Sequence, residues 1–209
     1  MSKIKICGLR SLEDIAAVNL YQPDFAGFVF SQSKRQVQIK QAALLKKNLS
    51  KNILAIGVFV NEPVDTICSL TETGVIDWIQ LHGDEDASYI AQIKEKTGSP
   101  VIKAIRVRRQ ADILQAQALP CDFLLFDTYH VKSYGGTGAR FNWGIIPPRC
   151  TKPFFLAGGL NSDCIVQAVQ TVSPYGVDVS SGVETNGKKD PEKIKEIIRF
   201  VRRTEHEQR

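Results

Sequence analysis

Lys3-Ile4-Lys5-Ile6-Cys7-Gly8-Leu9 alternates polar and apolar side chains and stops at a cysteine and a glycine. A run with that period reads as a strand that delivers one thiol to its carboxyl end. Gly8 lets the backbone turn tightly where a side chain would hinder it. A second run, Phe123-Leu124-Leu125-Phe126-Asp127, does the same with a carboxylate. The two strand ends are expected to face one pocket, with Cys7 as base and Asp127 as acid.

Outward from these runs, one beat recurs: an apolar strand, a polar or glycine-containing loop, an amphipathic helix. The strand at 3–7 leads to Ser11-Leu12-Glu13-Asp14, a capping box opening a helix to about residue 20. Further strands are expected at 25–30, 53–60, 78–81, 101–107, up to Asp127, at 154–157 and at 176–179. The helices between them are placed at 39–48, from Pro63, from Asp84-Glu85-Asp86, at 110–118, from about 162 and from Asp190-Pro191. Pro147-Pro148 forces the sixth helical segment to be short. Eight alternations point to a parallel sheet. In 209 residues that is about 26 per unit, near the lower size limit of a (β/α)₈ TIM barrel. An open doubly wound sheet is the alternative. The expectation is a single α/β barrel domain over residues 1–209.

Hydrophobic residues make up 43 % and charged residues 23 %, as in an ordinary globular protein. The net charge of +5 is spread, with much of it mixed with glutamate in the last helix, so no nucleic-acid partner is expected. No apolar run is long enough for a membrane span, and the start lacks a signal-peptide pattern. Five widely spaced cysteines without a CxxC, and three histidines, suggest reduced thiols, a cytoplasmic location and no metal site.

In a barrel, active groups lie at the carboxyl ends of strands. Those positions hold Cys7, Arg35, Gln80, His82, Arg106, Asp127, Gly158-Gly159 and Asp178 with Ser180-Ser181-Gly182. The glycine turns after strands seven and eight allow backbone N–H groups to approach an anion, and are read as a phosphate site. Gly182 to Lys189 resembles a P-loop but puts lysine where Ser or Thr should hold magnesium, and places Glu184 inside the loop. The run Gly135-Gly136-Thr137-Gly138 lacks a GxGxxG. The ordinary thiol pKa is about 8.5, so a modest downward push supplies thiolate at neutral pH. Neighbouring phenylalanines are expected to desolvate Asp127 and raise its pKa, as an acid requires. Arg35 can hold a carboxylate through two parallel hydrogen bonds.

Lys5 to Leu9, Gly27 to Phe30, Gln80-Leu81-His82-Gly83, Phe126-Asp127-Thr128, Gly135 to Gly138 with Phe141 and Trp143, Leu156 to Leu160 and Val177 to Glu184 together closely resemble the phosphoribosylanthranilate isomerase family. The resemblance covers nearly the whole chain. It implies a (β/α)₈ barrel, no metal and no organic cofactor. It also implies the Amadori rearrangement of N-(5-phosphoribosyl)anthranilate, a step of tryptophan biosynthesis. Carried over by position, Cys7 is the general base, Asp127 the general acid, and Arg35 the partner of the anthranilate carboxylate. Gly158, Gly159, Ser180, Ser181 and Gly182 hold the phosphate, Asp178 contacts the sugar, and His82 lines the substrate site. The family's second loop often reads Ser-Pro-Arg; this chain has Ser33-Lys34-Arg35 and keeps the arginine. The expected partner is the small phosphosugar–anthranilate substrate, and a monomer is expected ahead of a homodimer. The competing readings are another phosphosugar isomerase or epimerase on the same barrel, and a non-catalytic barrel that binds a phosphorylated ligand.

Overall fold

The computed structural model describes residues 2–128 and 142–204. Eight parallel strands run in chain order and close on themselves, the first pairing with the eighth. They are β1 (Lys3–Cys7), β2 (Phe25–Val29), β3 (Leu54–Phe59), β4 (Trp78–Leu81), β5 (Val101–Val107), β6 (Phe123–Thr128), β7 (Phe154–Leu156) and β8 (Gly176–Val179). Closure rules out the open doubly wound sheet. The helices are α1 (Leu12–Tyr21), α2 (Ile39–Asn48), α3 (Val64–Glu72), α4 (Ala87–Thr97), α5 (Gln110–Ala116), α6 (Ile165–Val172) and α7 (Pro191–Thr204). Between β6 and β7 the described residues hold only a 3₁₀ turn, Trp143–Ile145, just ahead of the two prolines. A two-strand hairpin, β9 (Glu184–Thr185) and β10 (Lys188–Lys189), follows β8. No described helix is long and apolar enough to cross a membrane.

Local chemistry sets the boundaries. Ser11 accepts from the Asp14 amide while the Asp14 side chain accepts from the Ser11 amide, the reciprocal cap expected of that motif. Asp86 caps α4 by accepting from the Tyr89 amide at 2.8 Å. The helix after β7 starts three residues later than the pattern suggests, because Cys164 N–H bonds Asn161 O in a turn first.

The barrel interior follows strand alternation, each second side chain pointing inward. At the amino-terminal end it is aromatic: Phe25, Trp78, Phe123, Phe155 and Tyr175 pack with ring centroids 4.8 to 6.0 Å apart. At the carboxyl end it turns polar, with Cys7, Gln80, His82, Asp127 and Asp178. Outward-facing Ile4, Ile6, Phe28, Leu81, Leu124 and Val177 form the second core against the helices.

Three aspartates stand immediately before even-numbered strands and lock the strand before. Asp24 accepts from the Ile4 amide at 2.9 Å, Asp77 from the Ala55 amide at 2.6 Å, and Asp122 from the Val101 amide at 2.8 Å. Each also pairs with a lysine: Lys3, Lys46 and Lys94 respectively. These locks sit at the end of the barrel opposite the polar residues, so stability and chemistry are spatially separate.

Candidate active site

A cavity of about 1060 Å³ opens at the carboxyl ends of the strands. Cys7, Arg35, His82, Asp127, Gly158, Gly159, Asp178, Ser180 and Ser181 all line it. The thiol from β1 and the carboxylate from β6 thus face one space.

Cys7 is 7 % exposed. Burial pushes its thiol up from the usual value, with Lys5 and Lys189 pulling it down and Asp178 adding to the rise. Desolvation outweighs the nearby cations at this thiol. Asp127 is buried too. Its Oδ1 accepts from the Thr128 amide at 2.8 Å, and its Oδ2 lies 3.3 Å from His82 Nε2. The phenylalanines do not surround this carboxyl. Phe126 points to the opposite face of β6 and packs on Phe154, while Phe123 sits at the aromatic end. Strand alternation separates residues that adjoin in sequence.

A buried polar chain crosses the barrel. Lys5 Nζ donates to Asp178 Oδ2 at 3.0 Å and to Gln80 Oε1. Gln80 Nε2 meets His82 Nδ1 at 2.8 Å. An ammonium only donates, so the Gln80 oxygen must face it and the amide NH₂ must face the ring. His82 Nδ1 is therefore an acceptor, and the network assigns the ring proton of the neutral imidazole to Nε2, on the side of Asp127. That nitrogen and Asp178 Oδ1 are buried with no hydrogen-bond partner among the described residues. One donor and one acceptor are thus left for a ligand.

Arg35 is already forked onto a carboxylate. Its Nε and Nη2 bond Glu184 Oε1 and Oε2, and Lys189 Nζ reaches Glu184 Oε1 at 2.8 Å and Ser180 O at 2.9 Å. Arg10 ties the two loops together, donating to Lys34 O and Gly187 O at 2.7 Å each. Gly8 has φ +81°, and a Cβ there would fall 2.4 Å from Arg35 Cδ. The glycine after the cysteine therefore makes room for the arginine as well as the turn.

The glycine turns also divide their tasks. Gly158 and Gly159 have positive φ. Ser180 does not present its hydroxyl to the cavity as a free group, because Oγ donates to Cys7 O at 3.0 Å and so ties β8 to β1. Gly182 does not line the cavity. A Cβ there would lie 1.9 Å from Leu160 O, so its place is in bringing the two turns together. Arg106 faces a second hollow beside Asp84, with which it pairs, and is not among the residues lining the central cavity. The run Gly135 to Gly138 and Phe141 lie outside the described residues. Among the described residues no group of three His, Cys, Asp or Glu side chains could hold a metal ion.

Sequence reading passed over Lys5, Glu184 and Lys189 as parts of the site. Lys5 had a signal: a lysine two residues before Cys7 on an inward-facing strand position. Glu184 and Lys189 had none beyond their charge, since their partners are distant in the chain.

A family model described as PRAI: N-(5'phosphoribosyl)anthranilate (PRA) isomerase matches residues 4–200. The N-(5'-phosphoribosyl)anthranilate isomerase of Endomicrobium trichonymphae is 48 % identical over 202 residues, covering 97 % of this chain and 99 % of that one. A crystal structure of phosphoribosyl anthranilate isomerase from Thermotoga maritima is similar at a TM-score of 0.88 and 34 % identity, over 97 % of this chain and 99 % of that one. A phosphoribosyl anthranilate isomerase in complex with reduced 1-(o-carboxyphenylamino)-1-deoxyribulose 5-phosphate is similar at a TM-score of 0.85 and 33 % identity, with the same coverage.

Proposed function

The chain belongs to the N-(5'-phosphoribosyl)anthranilate isomerase family, and from that premise we propose that Cys7 is the general base and Asp127 the general acid of its reaction. The enzyme is an isomerase of tryptophan biosynthesis. It converts N-(5-phosphoribosyl)anthranilate to 1-(2-carboxyphenylamino)-1-deoxyribulose 5-phosphate by an Amadori rearrangement. The observation that carries the assignment is that the thiol and the carboxyl line one cavity from non-adjacent strands.

Protonated Asp127 gives its proton to the furanose oxygen as the ring C–O bond breaks, leaving a Schiff base at C1′. The Schiff base acidifies the C2′ proton, which the Cys7 thiolate removes to form the enolamine. Tautomerisation then adds a proton at C1′ and takes one from the C2′ hydroxyl, giving the ketone. One acid and one base suffice, and no cofactor enters.

Binding is assigned by charge and by unpartnered groups. Arg35 takes the anthranilate carboxylate on its Nη1 side, the edge that Glu184 leaves open. The turns at Gly158, Gly159 and Ser181 hold the phosphate through backbone N–H groups, with Ser180 and Gly182 shaping them. His82 Nε2, 3.3 Å from Asp127 Oδ2, and Asp178 Oδ1, neither hydrogen-bonded among the described residues, meet the sugar hydroxyls. The chain works as one barrel domain and as a monomer in the cytoplasm. Closure removes the strand edges through which sheets associate, and five free thiols suit a reducing compartment. Sedimentation checks the monomer.

The deciding experiment is steady-state kinetics on Cys7→Ala and Asp127→Asn, followed by the loss of anthranilate-adduct fluorescence. Each is expected to lower kcat by about 10²- to 10⁴-fold while product binding persists. Either variant within a few-fold of the parent enzyme refutes that residue's role.

A further inference from the structure

Lys5 is 0 % exposed, an ammonium in the middle of the barrel that the acid and base chemistry leaves unused. Burying such a charge is costly unless it is well paired, so its partners explain why it is there. Two of its protons go to Asp178 and Gln80, and the third has no oxygen or nitrogen acceptor among the described residues. Lys5 and Cys7 alternate on β1 and both point inward. They also share one floor: a Cβ on Gly27 would lie 2.7 Å from Cys7 Sγ and 3.0 Å from Lys5 Cε. Gly27 is what lets the sulfur and the end of the lysine occupy the same small space.

We propose that Lys5 is the positioning residue of the base, the counter-cation that holds the Cys7 thiolate and divides its charge between that sulfur and Asp178. This rests on Cys7 being the base. When the sulfur is protonated, Asp178 balances the ammonium. When the thiol loses its proton, the ammonium stands between two anions and serves both.

The other charged groups facing the sulfur are less available. Lys189, from β10, is bonded to Glu184 and to Ser180 O, and Arg35, from the loop after β2, is forked onto the same Glu184. One carboxylate thus answers both cations. Asp178, from β8, is the only carboxylate that Lys5 touches among the described residues, and its second oxygen has no partner. The charges act in the matching directions: Lys5 draws the thiol down, and Asp178 pushes it up. The Lys5 ammonium itself is held above its usual value by Asp178 and Cys7 against the opposing effect of burial.

The test is the pH dependence of iodoacetamide alkylation at Cys7, read by mass spectrometry on its own peptide so that the other four cysteines do not interfere. Lys5→Met is expected to raise the Cys7 midpoint by about one to three pH units, and Asp178→Asn to lower it. An unchanged midpoint in Lys5→Met overturns the proposal. So does an unchanged or raised midpoint in Asp178→Asn, which decides the matter alone if Lys5→Met does not fold. The titration is independent of turnover. An active Cys7→Ala variant refutes the base assignment, whereas unmoved midpoints beside an inactive Cys7→Ala refute only the role of Lys5.

Discussion

Arg35 and Glu184 meet through two parallel hydrogen bonds, Nε to Oε1 at 2.7 Å and Nη2 to Oε2 at 2.8 Å. A guanidinium has five N–H donors in a fixed fork, so this uses one edge and leaves the Nη1 side. Glu184 therefore aims the free edge. Glu184→Gln keeps the shape but loses the charge, and hydrogen bonds to charged groups are worth about 1.5–3 kcal/mol. The expected result is a KM raised about tenfold with kcat within a few-fold. A fall in kcat at constant KM would contradict it.

The same carboxylate sets an acid limit on stability. Burial pushes the Glu184 carboxyl up, but hydrogen bonds and charge from Arg35 and Lys189 bring it from 4.5 to about 2. A carboxyl depressed in the folded state stabilises fully above its unfolded pKa and loses that contribution as pH falls through the folded one. Thermal melts of the parent and of Glu184→Gln should differ by a constant gap down to about pH 4.5, and the gap should close towards pH 2. A gap that is flat over the whole range would refute this.

Gly158 carries both strain and contact. Its φ is +87°, and a Cβ would fall 2.3 Å from Thr128 Oγ1 and 3.0 Å from Asp127 Oδ1. Gly158→Ala is expected to lower both Tm and kcat, because the added methyl displaces the acid. Gly98, with φ +63° and nothing within 4 Å of its Cβ position, is the control. Gly98→Ala should cost about 1–2 kcal/mol of stability and leave kcat unchanged. Equal effects on kcat would show that contact at Gly158 is irrelevant.

The aromatic end of the barrel should answer in the opposite way. Phe155 is fully buried and packs on Phe25, Phe123 and Tyr175. Phe155→Ala removes about 3–5 kcal/mol of stability. Urea denaturation should show that loss, while kcat/KM well below the transition stays within a few-fold. A large fall in kcat/KM would mean that the two ends are coupled.

The order of strands and helices was legible because apolar strand runs alternate with polar loops and amphipathic helices, most of the runs closing on a polar or glycine signature such as Cys7-Gly8 or Asp178 with Ser180-Ser181. The capping box at Ser11 was legible for the same reason, being local. What stayed hidden was pairing across the barrel. Glu184 read as a residue that spoils a phosphate loop, yet it is the partner of Arg35, 149 positions away. The thiol's environment is not legible in the sequence, because burial and the charges of Lys5, Asp178 and Lys189, from three different elements, decide it. Asp127 differs in kind: Phe126 adjoins it in sequence yet packs on Phe154, because a strand sends neighbours to opposite faces.

Asp24, Asp77 and Asp122 fasten β1 to β2, β3 to β4 and β5 to β6, each lock closing within one consecutive strand pair. A polypeptide severed between α4 and β5 leaves every aspartate–amide fastening intact on one side or the other, and parts only Asp122 from Lys94. One severed inside α1, α3 or α4's successor α5 parts an aspartate from the amide it holds. The barrel is thus divisible between these strand pairs, and co-expressed fragments cut between α4 and β5 should reassemble where cuts within a pair do not.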